Sequence, residues 1–176
     1  MNPSQIVLKL VLDAVEQPLD LDSFEQRLMI QKKVYLTQLT GLDLTYRFGW
    51  YLHGPYSREL TSDAFRSKEQ IDDGEDDYKR ETLAPFAKKL TKKAKTIWAN
   101  RPDGIDEDDW LELLASLHFL KHIAYMGKNA RLDFDDVWKA LIDSKPRFKG
   151  RKADGRKVWA QLDKVGLLKQ KVLPAA

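Results

Sequence analysis

Residues 27–65 read RLMIQKKVYLTQLTGLDLTYRFGWYLHGPYSRELTSDAF, and this stretch decides the predicted fold. Its helix begins just before the stretch, where Ser23 and Gln26 have the spacing of a capping box, and apolar residues then recur at helical intervals. The apolar positions spread beyond one face, which is typical of a nearly buried helix. Gly41 supplies a C-terminal stop. The stretch therefore opens with a buried helix that ends at this glycine.

The second part of the stretch has a different periodicity. Between Thr45 and Leu52 the apolar residues alternate with other residues, which predicts a short strand or an extended arm. Gly54 and Pro55 predict a sharp corner, because the residue before a proline avoids the helical region. Ser57 then provides a cap for another helix. Two helices joined by a bent aromatic segment are therefore predicted.

Helical periodicity recurs along the rest of the chain. Apolar stripes predict further helices near residues 2–17, 83–100, 106–126, 133–145 and 158–165. Their start and stop signals include caps at Asn2 and Asp133 and a glycine stop at Gly166. The polar stretch at 67–81 predicts an exposed acidic loop, and the stretch at 145–157 predicts a basic loop. Residues 167–173 are compatible with a short final strand.

Together these elements predict a mainly α-helical fold, a compact multi-helix domain with a short extended aromatic segment. We expect a helical core over residues 1–128 and a basic C-terminal helical extension, residues 129–176, packed on that core. Within the extension, the order helix, loop, helix and strand is compatible with a degenerate winged helix.

Composition excludes several classes of protein. The chain has 176 residues and no cysteine, which excludes disulfides and thiol chemistry and suits a reducing compartment. We see no signal peptide and no apolar run of membrane-spanning length, so we expect a soluble, cytoplasmic protein without a membrane partner. The formal net charge is only +3, but the charges are separated along the chain: Asp72–Asp77 and Asp103–Glu112 are acidic, and Lys145–Lys171 is basic.

Two segments, QKKVYLTQL at 31–39 and YRFGWYLHGPYSREL at 46–60, resemble the signature of the Panacea family and its YwgA-like and SocA-like relatives. In those sequences a helix with a lysine and an aromatic residue near its middle precedes an extended piece that ends in Gly-Pro. A weaker likeness lies in the helix that contains Trp110. The matching residues in the two segments are Lys32, Lys33, Tyr35, Leu36, Trp50, Tyr51, Gly54, Pro55 and Tyr56.

The resemblance implies a mainly α-helical domain that acts by protein contact. Panacea domains resemble antitoxins that neutralise varied toxins, and the SocA-like members act as adaptors that present a toxin to a protease. The family provides no catalytic residue and no cofactor that could be transferred to this chain. We therefore expect a non-enzymatic interaction module whose partner is a toxin, a defence-system effector or a protease substrate. The basic end beyond Lys145 departs from the shorter family members.

The aromatic segment is the predicted partner-binding surface. Aromatic side chains with a polar tip are enriched at binding hot spots, and several of them lie close together here. One side of the alternation belongs to the core, so we expect Phe48 and Trp50 to be buried. The residues left for contact with a partner are Tyr51, His53, Tyr56 and Arg58.

Nucleic-acid binding through the basic C-terminal segment is the alternative function. Its cations resemble a loop that contacts phosphates in DNA or RNA, with Phe148 among them to stack on a base. Within that loop only Asp154 opposes them, although such runs are often just solvated surface. The predicted nucleic-acid-binding residues are Lys145, Arg147, Lys149, Arg151, Lys152, Arg156 and Lys157.

We also considered a metal site and a catalytic site. His118 and His122 are four residues apart on a helix, as in some metal sites, but no glutamate lies between them, and buried structural histidines are the favoured interpretation. The acidic run at 72–77 lacks the ligand periodicity of a calcium loop. No nucleophile elbow, catalytic triad or phosphate-binding glycine loop is present. We therefore predict no metal, no cofactor and no enzymatic activity.

Overall fold

The structure, a computed structural model, describes residues 1–124 and 132–169. Within these residues the fold is mainly α-helical, as predicted, with seven α-helices and two short strands. None of the described helices is long and apolar enough to cross a lipid bilayer. The elements are α1 (Pro3–Ala14), α2 (Phe24–Gln38), β1 (Gly49–Tyr51), β2 (Gly54–Tyr56), α3 (Arg58–Asp72), α4 (Pro85–Trp98), α5 (Glu107–His122), α6 (Phe134–Ser144) and α7 (Lys152–Lys164).

The contacts divide the described chain into two units. The first unit contains Met1–Phe48 and Ser57–Thr96, and the second contains Gly49–Tyr56 and the chain from Ile97 onwards. α5, which lies within the predicted core 1–128, packs against α6 and α7 of the predicted C-terminal extension 129–176. The apolar residues of α5 therefore share a core with the C-terminal helices.

In the first unit, α1 and α2 both pack against α3. Local signals start each helix as predicted: Asn2 forms a capping box with Gln5, and the hydroxyls of Ser23 and Ser57 accept hydrogen bonds from backbone N–H groups of the first turn. Gly41, with φ +95°, follows α2 as its stop. The most deeply buried core residues come from these three helices: Leu8, Val11, Leu12, Val34, Leu60 and Ala64.

Two glutamines of α2 hold the backbone of the segments that flank the two strands. Gln38 accepts a hydrogen bond from the N–H of Tyr46 at 3.2 Å and donates to its carbonyl at 3.0 Å. Gln31, one heptad earlier, accepts from the N–H of Ser57 and donates to its carbonyl, both at 2.9 Å. These side-chain amides make the hydrogen bonds that a neighbouring strand would make in a sheet. The backbone at Tyr46 and Ser57 is therefore held by side chains.

The second unit is built around α5. Every residue of α5 from Asp109 to Leu120 is buried, because α6, α7 and β2 all pack against it. The indole N–H of Trp110 donates to the carbonyl of Trp98 at 2.9 Å, which satisfies a polar group inside the core. α5 is therefore the central helix of this unit.

The predicted corner at Gly54 and Pro55 is in fact the second strand of a hairpin. Trp50 pairs with Pro55 in antiparallel register, and Tyr51 pairs with Gly54. The turn consists of Leu52 and His53, and Gly54 has φ +84°, which glycine adopts at little cost. The strand prediction was right in kind but too long, since β1 covers only Gly49–Tyr51.

Both predicted polar loops are partly helical. α3 continues to Asp72, so the acidic loop predicted at 67–81 is shorter than expected, and a 3₁₀ turn covers Asp77–Arg80. In the predicted basic loop, a 3₁₀ turn covers Pro146–Phe148 and α7 begins at Lys152. Of the predicted strand 167–173, residues 167–169 form no strand and 170–176 lie outside the described residues, as does part of the predicted winged helix.

Candidate functional site

The tip of the hairpin exposes large apolar side chains. Leu52 is 77% exposed, the highest fraction among the large hydrophobic residues that the structure describes, and Tyr51 is 42% exposed. The ring of Tyr51 contacts that of Tyr56, with centroids 5.1 Å apart. Single exposed apolar residues are common on protein surfaces, so the way in which this tip is held decides whether it is a site.

A buried lysine holds the turn from beneath. The ammonium of Lys145 donates to the carbonyl of Leu52 at 2.5 Å and to Oε1 of Glu112 at 2.6 Å. The side chains of Lys145 and Glu112 are only 2% and 3% exposed, respectively. Lys145 Nζ also lies 5.3 Å from the ring centroid of Trp50. Burial lowers the pKa of Lys145 from its ordinary value, while the charge of Glu112 opposes that effect.

Further charges surround this pair. Oε2 of Glu112 accepts from Nη2 of Arg147 at 2.9 Å, and Nδ1 of His53 lies 3.4 Å away. Asp109, one turn earlier on α5, accepts from Arg147 at 2.7 Å and also from Arg151. We call Asp109, Glu112, Lys145, Arg147 and Arg151 the anchor cluster.

Burial and hydrogen bonds act in opposite directions on Asp109. Burial alone would raise the pKa of its carboxyl, but hydrogen bonds from Arg151 and Arg147 bring the pKa below its ordinary value. Asp109 is therefore ionised at neutral pH. Together with Glu112 it provides two carboxylates for three cations, so the anchor cluster is close to charge balance and its members are oriented by hydrogen bonds.

The structure places three of the four predicted partner-binding residues in the hairpin. Tyr51 and Tyr56 lie in its strands and His53 in its turn, whereas Arg58 begins α3 in the first unit. Leu52 is not among the predicted contact residues, because the alternation places it on the same side as Trp50. The turn interrupts that alternation, and Leu52 points outward.

Phe48 and Trp50, which the alternation predicted to be buried, are only half-buried. Phe48 packs edge-on against Tyr35 with centroids 5.1 Å apart, and Trp50 lies 5.8 Å from Phe119. Each ring therefore contributes one face to its own unit while the other part is accessible. A segment this short has too few neighbours to cover both sides of a large ring.

Most cations of the predicted nucleic-acid-binding set form ion pairs. Lys145, Arg147 and Arg151 belong to the anchor cluster. Lys152 and Arg156 both contact Oδ1 of Asp135, at 2.8 and 3.3 Å, and Lys157 lies 3.7 Å from Asp154. Only Lys149 of the set has no ion pair with a carboxylate of residues 1–124 or 132–169.

Phe148 is wholly buried, so the prediction that its ring could stack on a base is wrong. Arg147 covers the ring, with its guanidinium carbon 4.1 Å from the centroid. The carboxylates that pair with these cations can be found in the acidic run 103–112, because Asp109 and Glu112 are three residues apart on one helix face.

No known protein family, curated protein or solved structure matches this chain. The resemblance to the Panacea family therefore stays a prediction. The positions that carry it have two kinds of environment in the structure. Lys32, Lys33, Tyr35 and Leu36 are buried within α2, and the others belong to the hairpin.

The two histidines of α5 lie side by side, with ring centroids 4.8 Å apart. His118 is buried, and burial together with the nearby His122 lowers its pKa to about 3. His122 shares a hydrogen bond with the carbonyl of Leu167 at 2.8 Å, and burial lowers its pKa as well. In residues 1–124 and 132–169, no three histidine, aspartate or glutamate side chains converge on a position suited to a metal ion.

His118 makes the stability of the protein dependent on pH. Its ordinary pKa is 6.5 and its folded pKa is about 3, so the unfolded chain binds the proton over a range in which the folded chain does not. The stability is complete above pH 6.5 and is lost as the pH falls towards 3. Lowering the pH from about 7 to 5 should cost about 2 kcal/mol through this residue.

Urea unfolding at both pH values measures this loss. The variant His118→Gln cannot take up the proton, so its stability should change less between the two pH values than that of the wild type. A smaller dependence should remain, because the pKa of His122 is also lowered. Equal pH dependence in the wild type and His118→Gln would show that His118 is not the titrating group.

Proposed function

We propose that this protein is a non-enzymatic binding module of the antitoxin or adaptor type, and that the hairpin tip enters an apolar pocket of its protein partner. The observation that carries the proposal is that Leu52 is 77% exposed while its own carbonyl is bound by the buried Lys145. The backbone that carries this exposed apolar side chain is held by a buried charge pair. That arrangement fits a binding residue better than a core residue.

The arrangement supports binding through preorganisation. A free two-stranded hairpin is only marginally stable in water, so its tip would lose conformational entropy on binding. Here β2 packs against α5, and Lys145 connects the turn to Glu112. The conformational entropy of the tip has already been lost on folding. More of the free energy of contact with a partner therefore contributes to affinity.

The residues around the tip indicate the chemistry of the partner. Tyr51 adds an aromatic ring with a polar hydroxyl beside Leu52, a combination enriched at hot spots. His53 and Arg147 keep part of their side chains exposed while they contact Glu112. We infer a partner pocket with an apolar floor and an acidic rim. Such a pocket on a cytoplasmic toxin, effector or protease substrate is consistent with the family resemblance.

Leu52→Asp tests the proposal, with Phe65→Asp as the matched control. Both residues are exposed large hydrophobics, but Phe65 lies on α3 in the first unit. A partner captured from lysate by the wild type, then purified, should bind Leu52→Asp at least roughly 30-fold more weakly, the loss expected of a hot spot of about 2 kcal/mol. Phe65→Asp should retain wild-type affinity.

Two results would contradict the proposal. A purified partner that binds Leu52→Asp as tightly as the wild type would place the interface elsewhere. Capture that disappears after nuclease treatment would show that nucleic acid, and not a protein surface, connects the two molecules. Circular dichroism of both variants should match the wild type, because neither side chain is part of a core.

A further inference from the structure

Helix α4 differs from the other charged segments in having one sign of charge. Residues 85–98 read PFAKKLTKKAKTIW, with five lysines and no acidic residue. Lys88, Lys89, Lys92 and Lys93 are exposed, whereas Ala87, Thr91 and Ala94 are buried. We call these four lysines the lysine face. Its direction is fixed, because the opposite side of the helix belongs to the core of the first unit.

These lysines differ from the C-terminal cations in their partners. None of the four forms an ion pair with a carboxylate in the described part of the chain, while the next lysine, Lys95, pairs with Glu16. Most basic residues of the C-terminal segment are neutralised by Asp109, Glu112, Asp135 or Asp154. Among the residues that the structure describes, α4 therefore carries the densest group of lysines without a carboxylate partner.

Helix geometry places the four lysines on the same side of α4. At about 100° per residue, positions 88, 89, 92 and 93 fall within an arc of about 140°. Lys88 and Lys92, and likewise Lys89 and Lys93, are like-charge pairs four residues apart, which destabilise a helix. An extended polyanion would relieve this repulsion, and each lysine that contacts a phosphate would release counterions.

An exposed aromatic residue continues the same surface. Phe86 is 66% exposed, and it lies three and seven residues before Lys89 and Lys93, which places all three in one row along the helix. We propose that the lysine face binds the sugar-phosphate backbone of single-stranded nucleic acid, with one base stacked on Phe86. A base inside a duplex cannot reach such a ring, whereas an unpaired base can.

An anionic membrane is less suited to this surface. Helices that bind membranes bury a continuous apolar side in the lipid interface. In α4 that side is already covered by the core of the first unit, which leaves Phe86 as the large apolar side chain that it exposes. The lysine face belongs to the first unit and the hairpin tip to the second, so Leu52→Asp should leave this binding unchanged.

The test compares two variants that each lose four positive charges. In the first, Lys88, Lys89, Lys92 and Lys93 are changed to Gln; in the matched control, Lys149, Lys152, Arg156 and Lys157 are changed to Gln. Binding of a labelled oligothymidine or oligouridine is measured by fluorescence anisotropy between about 50 and 200 mM salt. Four neutralised phosphates predict a log-log salt slope of about −3 for the wild type.

The first variant should lose most of its affinity and almost all of its salt dependence, and the control should resemble the wild type. Phe86→Ala should weaken binding by about fivefold or more without changing the slope. Equal losses in both charge variants would show a non-specific effect of net charge and overturn the assignment. Unaltered binding by Phe86→Ala, tighter binding to duplex DNA, or binding only to vesicles of anionic phospholipid would overturn it as well.

Discussion

Glu112→Gln is expected to destabilise the second unit by about 3–5 kcal/mol, because it leaves the buried ammonium of Lys145 without its counter-charge. Glutamine keeps the size of the side chain, so the loss is electrostatic and not a cavity effect. The guanidinium of Arg147 loses one of its two carboxylates in the same step. Urea unfolding at neutral pH, followed by circular dichroism, should show a lower midpoint with an unchanged slope.

Asp108→Asn is the matched control for this variant. It removes one carboxylate from the same helix, but its side chain is exposed and belongs to no ion pair among residues 1–124 and 132–169. Its cost should stay below about 1 kcal/mol, the range of an interaction with the helix dipole. The double variant Glu112→Leu with Lys145→Met should be more stable than Glu112→Gln, because no unpaired charge remains buried. Equal losses in Glu112→Gln and Asp108→Asn would mean that water reaches the anchor cluster.

Gly155→Ala should destabilise the protein by about 1–3 kcal/mol although it replaces a helical glycine. Alanine would normally gain about 1 kcal/mol inside a helix. At this position, however, a Cβ atom would lie 2.2 Å from Cζ3 of Trp138 and 2.6 Å from Cε3. The indole of Trp138 is buried beside Phe134, so it cannot move aside without disturbing that packing. Thermal and urea unfolding measure the loss.

Gly150→Ala provides the comparison, because nothing lies within 4 Å of its Cβ position. It should change the free energy of unfolding by less than about 0.5 kcal/mol. In the Trp138→Leu background, which removes the indole ring, Gly155→Ala should cost less than it does in the wild type. A Gly155→Ala protein as stable as the wild type would show that α6 and α7 can separate without cost.

The sequence predicted what depends on neighbours along the chain. The caps at Asn2, Ser23, Ser57 and Asp133 were correct, because each involves a hydrogen bond within one turn. The glycine stops after α2 and α7 were correct for the same reason, since Gly41 and Gly166 have φ values of +95° and +81°. Propensity and periodicity determine such features without reference to the rest of the fold.

The sequence did not predict what depends on distant partners. The basic segment looked like an exposed loop because lysine and arginine are rarely buried, yet Lys145 pairs with Glu112, 33 residues earlier. Sequence spacing gives no information about such a pair, and without it the cations seemed free to bind phosphates. The hairpin was missed likewise, since a strand of three residues is too short for a pattern of alternation.

The position of the hairpin in the chain has a consequence for synthesis on the ribosome. The carbonyl of Leu52 finds its partner, Lys145, 93 residues later. At about 5–20 residues per second, the newly made tip waits roughly 5–20 s before the lysine that fixes it has been polymerised. Until then this hydrogen bond cannot form, and a chain that is released before Lys145 has been added never forms it.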